Sequence, residues 1–164
     1  MSMTRSVAVS TLLVSFLVAA GPVSAGPGSA GHSHDHGLFS AGEPGNPKKP
    51  ARPVLITMRE GNGKMLFDLT RIEVRHGEQI RFIIRNNGAL DHEFVLATKA
   101  ENDKHAQEMK KNPDMEHDDP NAKRLTPKKA GDLVWRFTKR GEFEFGCLIP
   151  GHREAGMVGT VVVR

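Results

Sequence analysis

Gly141-Glu142-Phe143-Glu144-Phe145-Gly146-Cys147-Leu148-Ile149-Pro150-Gly151-His152-Arg153-Glu154-Ala155-Gly156-Met157 is the stretch whose reading decides the fold. It begins with the alternation of a strand that has one buried face, and Met157 to Val163 reads as a further strand closing the sequence. Between the two lies a short loop bearing one thiol, one imidazole and one thioether, from Cys147, His152 and Met157. Copper(I) favours soft sulfur and copper(II) favours imidazole, so a Cys-His-His set with a weak axial Met suits both oxidation states. The remaining imidazole has to come from upstream. The best-placed one is His92, in Asn86-Asn87-Gly88-Ala89-Leu90-Asp91-His92-Glu93-Phe94. His92, Cys147, His152 and Met157 are therefore the expected ligands of one copper ion.

Working outward, most of the sequence reads as short strands. Val54 to Met58 is rich in β-formers, and Glu60-Gly61-Asn62-Gly63-Lys64 carries the Asn-Gly turn signal. Met65 to Arg75 alternates apolar and polar residues and reads as one strand region. His76-Gly77-Glu78 turns the chain into Gln79 to Arg85, Asn86-Asn87-Gly88 closes that strand, and His92 to Ala97 begins another. Leu133 to Phe137 completes the set, with Trp135 and the phenylalanines as core. Lys99 to Lys111 differs: it is rich in helix formers and Pro113 stops it, so the sequence predicts a short exposed helix followed by an acidic loop, Asp114 to Asn121. Many short strands with turn signals indicate an all-β sandwich with one helical excursion around 99–111.

The first 25 residues read as a secretory signal peptide: Arg5 is the positive start, Val7 to Ala20 the apolar run, and Val23-Ser24-Ala25 the small residues at a cleavage site. Gly28-Ser29-Ala30 is an alternative cut, and a retained anchor is the competing reading, although the run is short for a membrane span. Export to an oxidising compartment, the periplasm, changes the meaning of the lone cysteine. Cys147 has no partner in the sequence, and a free thiol there is open to oxidation, whereas a coordinated thiolate is protected. Residues 26–52, rich in Gly, Pro, Ser and His, read as a flexible mature N-terminus, and residues 53–164 as the folded domain. The formal charge is +4 with both signs well mixed, which excludes the clustered basic face of a nucleic-acid binder.

The order of His first, then Cys-x4-His-x4-Met between two strands, resembles the cupredoxin family, which includes plastocyanin, azurin, auracyanin and rusticyanin. The resemblance covers about residues 53 to 164. Within the family, Asp91-His92-Glu93-Phe94, Pro113-Asp114-Met115-Glu116-His117-Asp118-Asp119-Pro120-Asn121 and Gly141-Glu142-Phe143-Glu144-Phe145 look like periplasmic cupredoxins linked to copper tolerance. It implies a Greek-key β-sandwich and a type 1 copper, with Cys147 as thiolate donor, His92 and His152 as equatorial nitrogens and Met157 as the long axial contact. It also implies a monomer without enzymatic activity, and a redox or copper-handling partner docking near His152. Two roles compete: copper handling and dedicated electron shuttling. In several relatives an Asn follows the upstream ligand and locks the Cys loop; here that position is Glu93, so the supporting hydrogen bonds must differ.

Other readings stay open beside this one. Zinc could take the same donors, although structural zinc sites favour several cysteines. A catalytic Cys-His pair would leave Met157 unexplained. His32-Ser33-His34-Asp35-His36 is a short histidine tract able to hold an accessory copper, or else a solvated tail. His105 and Met109 share a helix face, with Met115 and His117 following, and form a second accessory candidate against the alternative of a solvated helix.

Overall fold

The alternating segments of the sequence become two facing sheets in a computed structural model, which describes residues 39–113 and 119–164. The expected signal segment, the His32 to His36 tract, Met115 and His117 lie outside the described residues. The strands are β1 (Glu43–Pro44), β2 (Arg52–Gly61), β3 (Lys64–Phe67), β4 (Arg71–Val74), β5 (Gln79–Asn86) and β6 (His92–Ala97). Helix α1 (Lys99–Lys111) follows, then β7 (Ala122–Leu125), β8 (Ala130–Arg136), β9 (Gly141–Gly146) and β10 (Val158–Val163). One sheet has the order β1-β8-β5-β2-β3 and the other β4-β10-β9-β6-β7. The pairings β2·β5 and β4·β10 are parallel and the remainder antiparallel. Among the described residues this is the expected cupredoxin-like β-sandwich with one helix.

The core forms where the inward residues of both sheets meet. Val54, Ile56 and Met58 of β2 face Phe94 and Leu96 of β6 and Phe143 and Phe145 of β9 in one buried cluster. Phe145 stacks on Phe94 at 5.2 Å and meets Phe67 edge-on at 5.1 Å. Such pairs contribute about 0.5–1.5 kcal/mol each beyond the area they bury. The β2–β3 hairpin turns at Asn62 (φ 52°) and Gly63 (φ 71°), the two positive φ values that a two-residue turn of matching twist requires.

Three expectations change. Met65 to Arg75 is two strands in opposite sheets, because Asp68 leaves the ladder to bond Thr57: its Oδ1 accepts from the Thr57 amide at 2.6 Å and its own amide donates to Thr57 O at 3.0 Å. Strand β7, with one buried residue in four, carries too little alternation to stand out after the acidic loop. Finally, residues 39–50, read from composition as flexible, are held against the sheet. Ala41 is buried, Trp135 Nε1 donates to its carbonyl at 3.2 Å, and Phe39 meets the Trp135 ring edge-on at 5.2 Å. Gln79 completes the attachment, accepting from the Asn46 amide at 2.8 Å and donating to Asn46 O at 3.0 Å.

Helix α1 has the bounds that the sequence predicts. Thr98 caps it in a reciprocal box with Glu101, and Lys110 and Lys111 stand in its last turn, where cations suit the helix dipole.

Candidate metal centre

Sheet register brings the distant donors to one end of the sandwich. Strand β6 runs antiparallel to β9 with Val95 opposite Gly146, and β9 runs antiparallel to β10 with Val158 opposite Gly146. The start of β6, the end of β9 and the start of β10 therefore share an edge. His92 opens β6, Cys147 follows β9, and Met157 precedes β10.

His92 Nδ1 lies 3.2 Å from His152 Nδ1, and Cys147 Sγ lies 3.4 Å from the same His152 atom. The ligand atoms of His92, Cys147 and His152 all fall within 4.8 Å of one another. His92, Cys147 and Met157 are fully buried, and His152 keeps 9% of its surface exposed. The backbone of Met157 clasps the other two loop donors: Cys147 N donates to Met157 O and Met157 N to His152 O, both at 3.1 Å. His92, Cys147 and His152 are thus gathered at one place, with the Met157 backbone bonded to two of them.

Two glutamates support the donors. Glu93 is buried; its Oε1 accepts from the Leu148 amide at 2.8 Å and its own amide points at Cys147 Sγ at 3.4 Å. It therefore locks the Cys loop, the job expected of an Asn. Burial pushes the Glu93 carboxyl up, against the Leu148 amide and the nearby Arg124 charge. Glu60, at the end of β2, was not legible as a site residue. Its Oε1 lies 2.8 Å from His92 Nε2, across a separation of 32 residues that only the fold closes.

Burial would raise the Glu60 carboxyl, but the amides of Ala89 and Leu90, its own amide and His92 outweigh this and hold it at about 2. Cys147 moves the other way: burial first, then the Glu93 charge, push the thiol up to about 12. His152 is pushed down by burial and by the neighbouring His92 ring.

This donor set fits copper. Two imidazole nitrogens facing each other across 3.2 Å beside a buried thiol place three donors around one point. The protein environment alone keeps the thiol protonated, so a soft cation is what would hold it as thiolate. One sulfur with two imidazoles matches copper better than the sulfur-rich set of structural zinc.

The accessory expectations fare differently. Met109 is fully buried in a small cluster with Val95 and Leu148, turned inward from the solvated face on which a helix-surface site would stand. Among the described residues, His92, Cys147 and His152 are the group of three or more such donors. Leu148 is buried under α1 in the same small cluster. Ile149 is half-buried against the main core, and Leu90 is 45% exposed.

A family model described as "Copper binding proteins, plastocyanin/azurin family" matches residues 54–164. The "Copper-resistant cuproprotein CopI" of Rubrivivax gelatinosus is 49% identical over 142 residues, covering 80% of this chain and 84% of the relative. The protein of the same name from Pseudomonas aeruginosa is 33% identical over 152 residues, covering 75% and 82%. Among solved structures, auracyanin B superposes with a TM-score of 0.61 at 24% identity, covering 76% of this chain and 96% of that one. A copper-containing nitrite reductase from Thermus scotoductus has a TM-score of 0.52 at 16% identity, covering 70% of this chain and 28% of that one, a likeness of fold alone.

Proposed function

Because the chain belongs to the plastocyanin/azurin family of copper-binding proteins, we propose that it is an exported copper-tolerance protein whose single type 1 copper is held by His92, Cys147, His152 and Met157. The observation that carries the reading is the buried convergence of the His92, Cys147 and His152 ligand atoms within 4.8 Å. Bound copper supplies one-electron exchange between its two oxidation states. Cys147 gives the thiolate, His92 and His152 the nitrogens, and Met157 the weak axial sulfur. The strand ends and the Glu93 lock keep these donors in place, so little rearrangement accompanies a change of charge. The tolerance role is supported by the 49% identity to a copper-resistant cuproprotein, and export by the N-terminal signal pattern.

The protein is read as a binding and electron-exchange protein rather than an enzyme, since no His-x-His pair lies within the core sequence to build a catalytic copper. A strain lacking the gene tests the role: heightened copper sensitivity, restored by the wild-type gene and not by Cys147→Ser, is the expected result. Unchanged copper sensitivity with loss of a respiratory activity would instead favour a dedicated electron carrier. One observation favours that second reading: His152 is the one donor residue of the set with an exposed edge. A redox or copper-handling partner would dock there, beside Ile149 and Pro150. Ile149→Lys should slow transfer to such a partner and leave the copper spectrum intact.

A further inference from the structure

Resting on the copper reading above, we propose that Glu60 is a positioning residue of the site: its carboxylate fixes His92 with the proton on Nε2 and the lone pair on Nδ1, and tilts the site toward the oxidised ion. Both carboxylate oxygens are engaged. Glu60 Oε1 meets His92 Nε2 at 2.8 Å and accepts from the Leu90 amide at 2.9 Å, while Oε2 accepts from the Ala89 amide at 2.9 Å. Both oxygens already accept from backbone N–H groups, and the facing His92 nitrogen completes the set as a third N–H donor. The lone pair then sits on Nδ1, the atom facing His152. A carboxylate on the far side of a ligand imidazole makes it a stronger donor. Its negative charge also favours Cu(II) over the less charged Cu(I).

The space around the carboxylate is equally particular. A Cβ added at Gly88 would come within 2.5 Å of Glu60 Oε1 and 2.6 Å of Oε2. Gly88 lies two residues before Leu90 on the loop that leads to His92, so the bare backbone there is what admits the carboxylate. Gly88→Ala would displace Glu60 without removing any charge.

Glu60→Gln makes the first test. It turns one acceptor into a donor, and the amide cannot serve His92 and both backbone N–H groups together. The expected result is about tenfold weaker Cu(II) binding with Cu(I) binding unchanged, a rise in midpoint potential of about 59 mV for one electron. In the copper-free protein, long-range nitrogen–proton NMR should show His92 as the Nε2–H tautomer in the wild type and as a mixture in Glu60→Gln and Gly88→Ala. A role confined to holding the 86–90 loop would lower the melting temperature and leave the potential and the tautomer where they were, and that result overturns the proposal. Should Glu60→Gln fail to fold, Gly88→Ala decides by the same two readouts. A wild type without a thiolate-to-copper band would overturn the copper reading; the copper-free tautomer would then decide the positioning half, and the tilt toward Cu(II) would fall with the copper.

Discussion

Glu93 shows how a single position can exchange one chemistry for another and keep the same duty. Its carboxylate holds the Leu148 amide at 2.8 Å from inside the protein, where an unpaired amide costs about 1–3 kcal/mol. Glu93→Leu should therefore lower the urea-unfolding free energy of the copper-free protein by about that amount. Glu93→Gln, which keeps the acceptor, should lose under about 1 kcal/mol. Equal losses in both variants would mean that the charge, and not the bond to the loop, is what matters. At this scale the donors of the Cys loop were legible, since three of them lie within eleven consecutive residues and their chemistry is read directly. Glu60 was not, because nothing local ties it to His92; their meeting depends on β2 and β6 lying in facing sheets.

Among the elements, α1 does more than interrupt a β-fold. Arg153, next to the ligand His152, bonds Glu144 of β9 with Nε and Nη2 at 3.0 Å each and Asp103 of α1 with Nη1 at 2.6 Å. Lys110 pairs with Glu154 at 2.6 Å, and Met109 packs on Leu148 from the same helix. The helix thus clamps the ligand loop from outside. Arg153→Ala leaves the mostly buried Glu144 without its cation, and with partial exposure taken into account this should cost about 1–3 kcal/mol. Copper loss to a competing chelator should quicken while the visible spectrum keeps its shape. Lys110→Ala breaks a pair exposed by half on both sides and should change stability by less than about 1 kcal/mol. A release rate in Arg153→Ala equal to wild type would show that the loop needs no clamp. The bounds of α1 were legible from helix formers and Pro113; its docking was not, since Met109 reads the same on a solvated helix as on a packed one.

For the molecule as a whole, the sandwich was legible because its strands alternate, but the joins between strands were less so. The parallel pairings of β2 with β5 and β4 with β10 bring together segments far apart in sequence. The attachment of residues 39–50 depends on Trp135 and Gln79, which composition cannot reveal. One brace near those joins makes stability depend on pH. Burial would raise Glu78, but the Arg52 guanidinium at 2.6 Å and the Arg75 amide hold its carboxyl below the ordinary 4.5. A lowered carboxylate adds stability that is fully present above its unfolded value and is lost as the pH falls through the folded one. Glu78→Gln should thus flatten the acid limb of the stability curve below about pH 4.5, modestly, because Arg52 is partly exposed. An acid limb identical to wild type would remove this brace from the acid response.

The central claim concerns the whole assembly of strand ends around one ion, and the visible spectrum during Cu(II) addition tests it most directly, with Cys147→Ser as control. An intense thiolate-to-copper band that saturates at one equivalent and vanishes in the variant is the predicted result. Weak absorption that persists in Cys147→Ser would contradict the site and the function built on it.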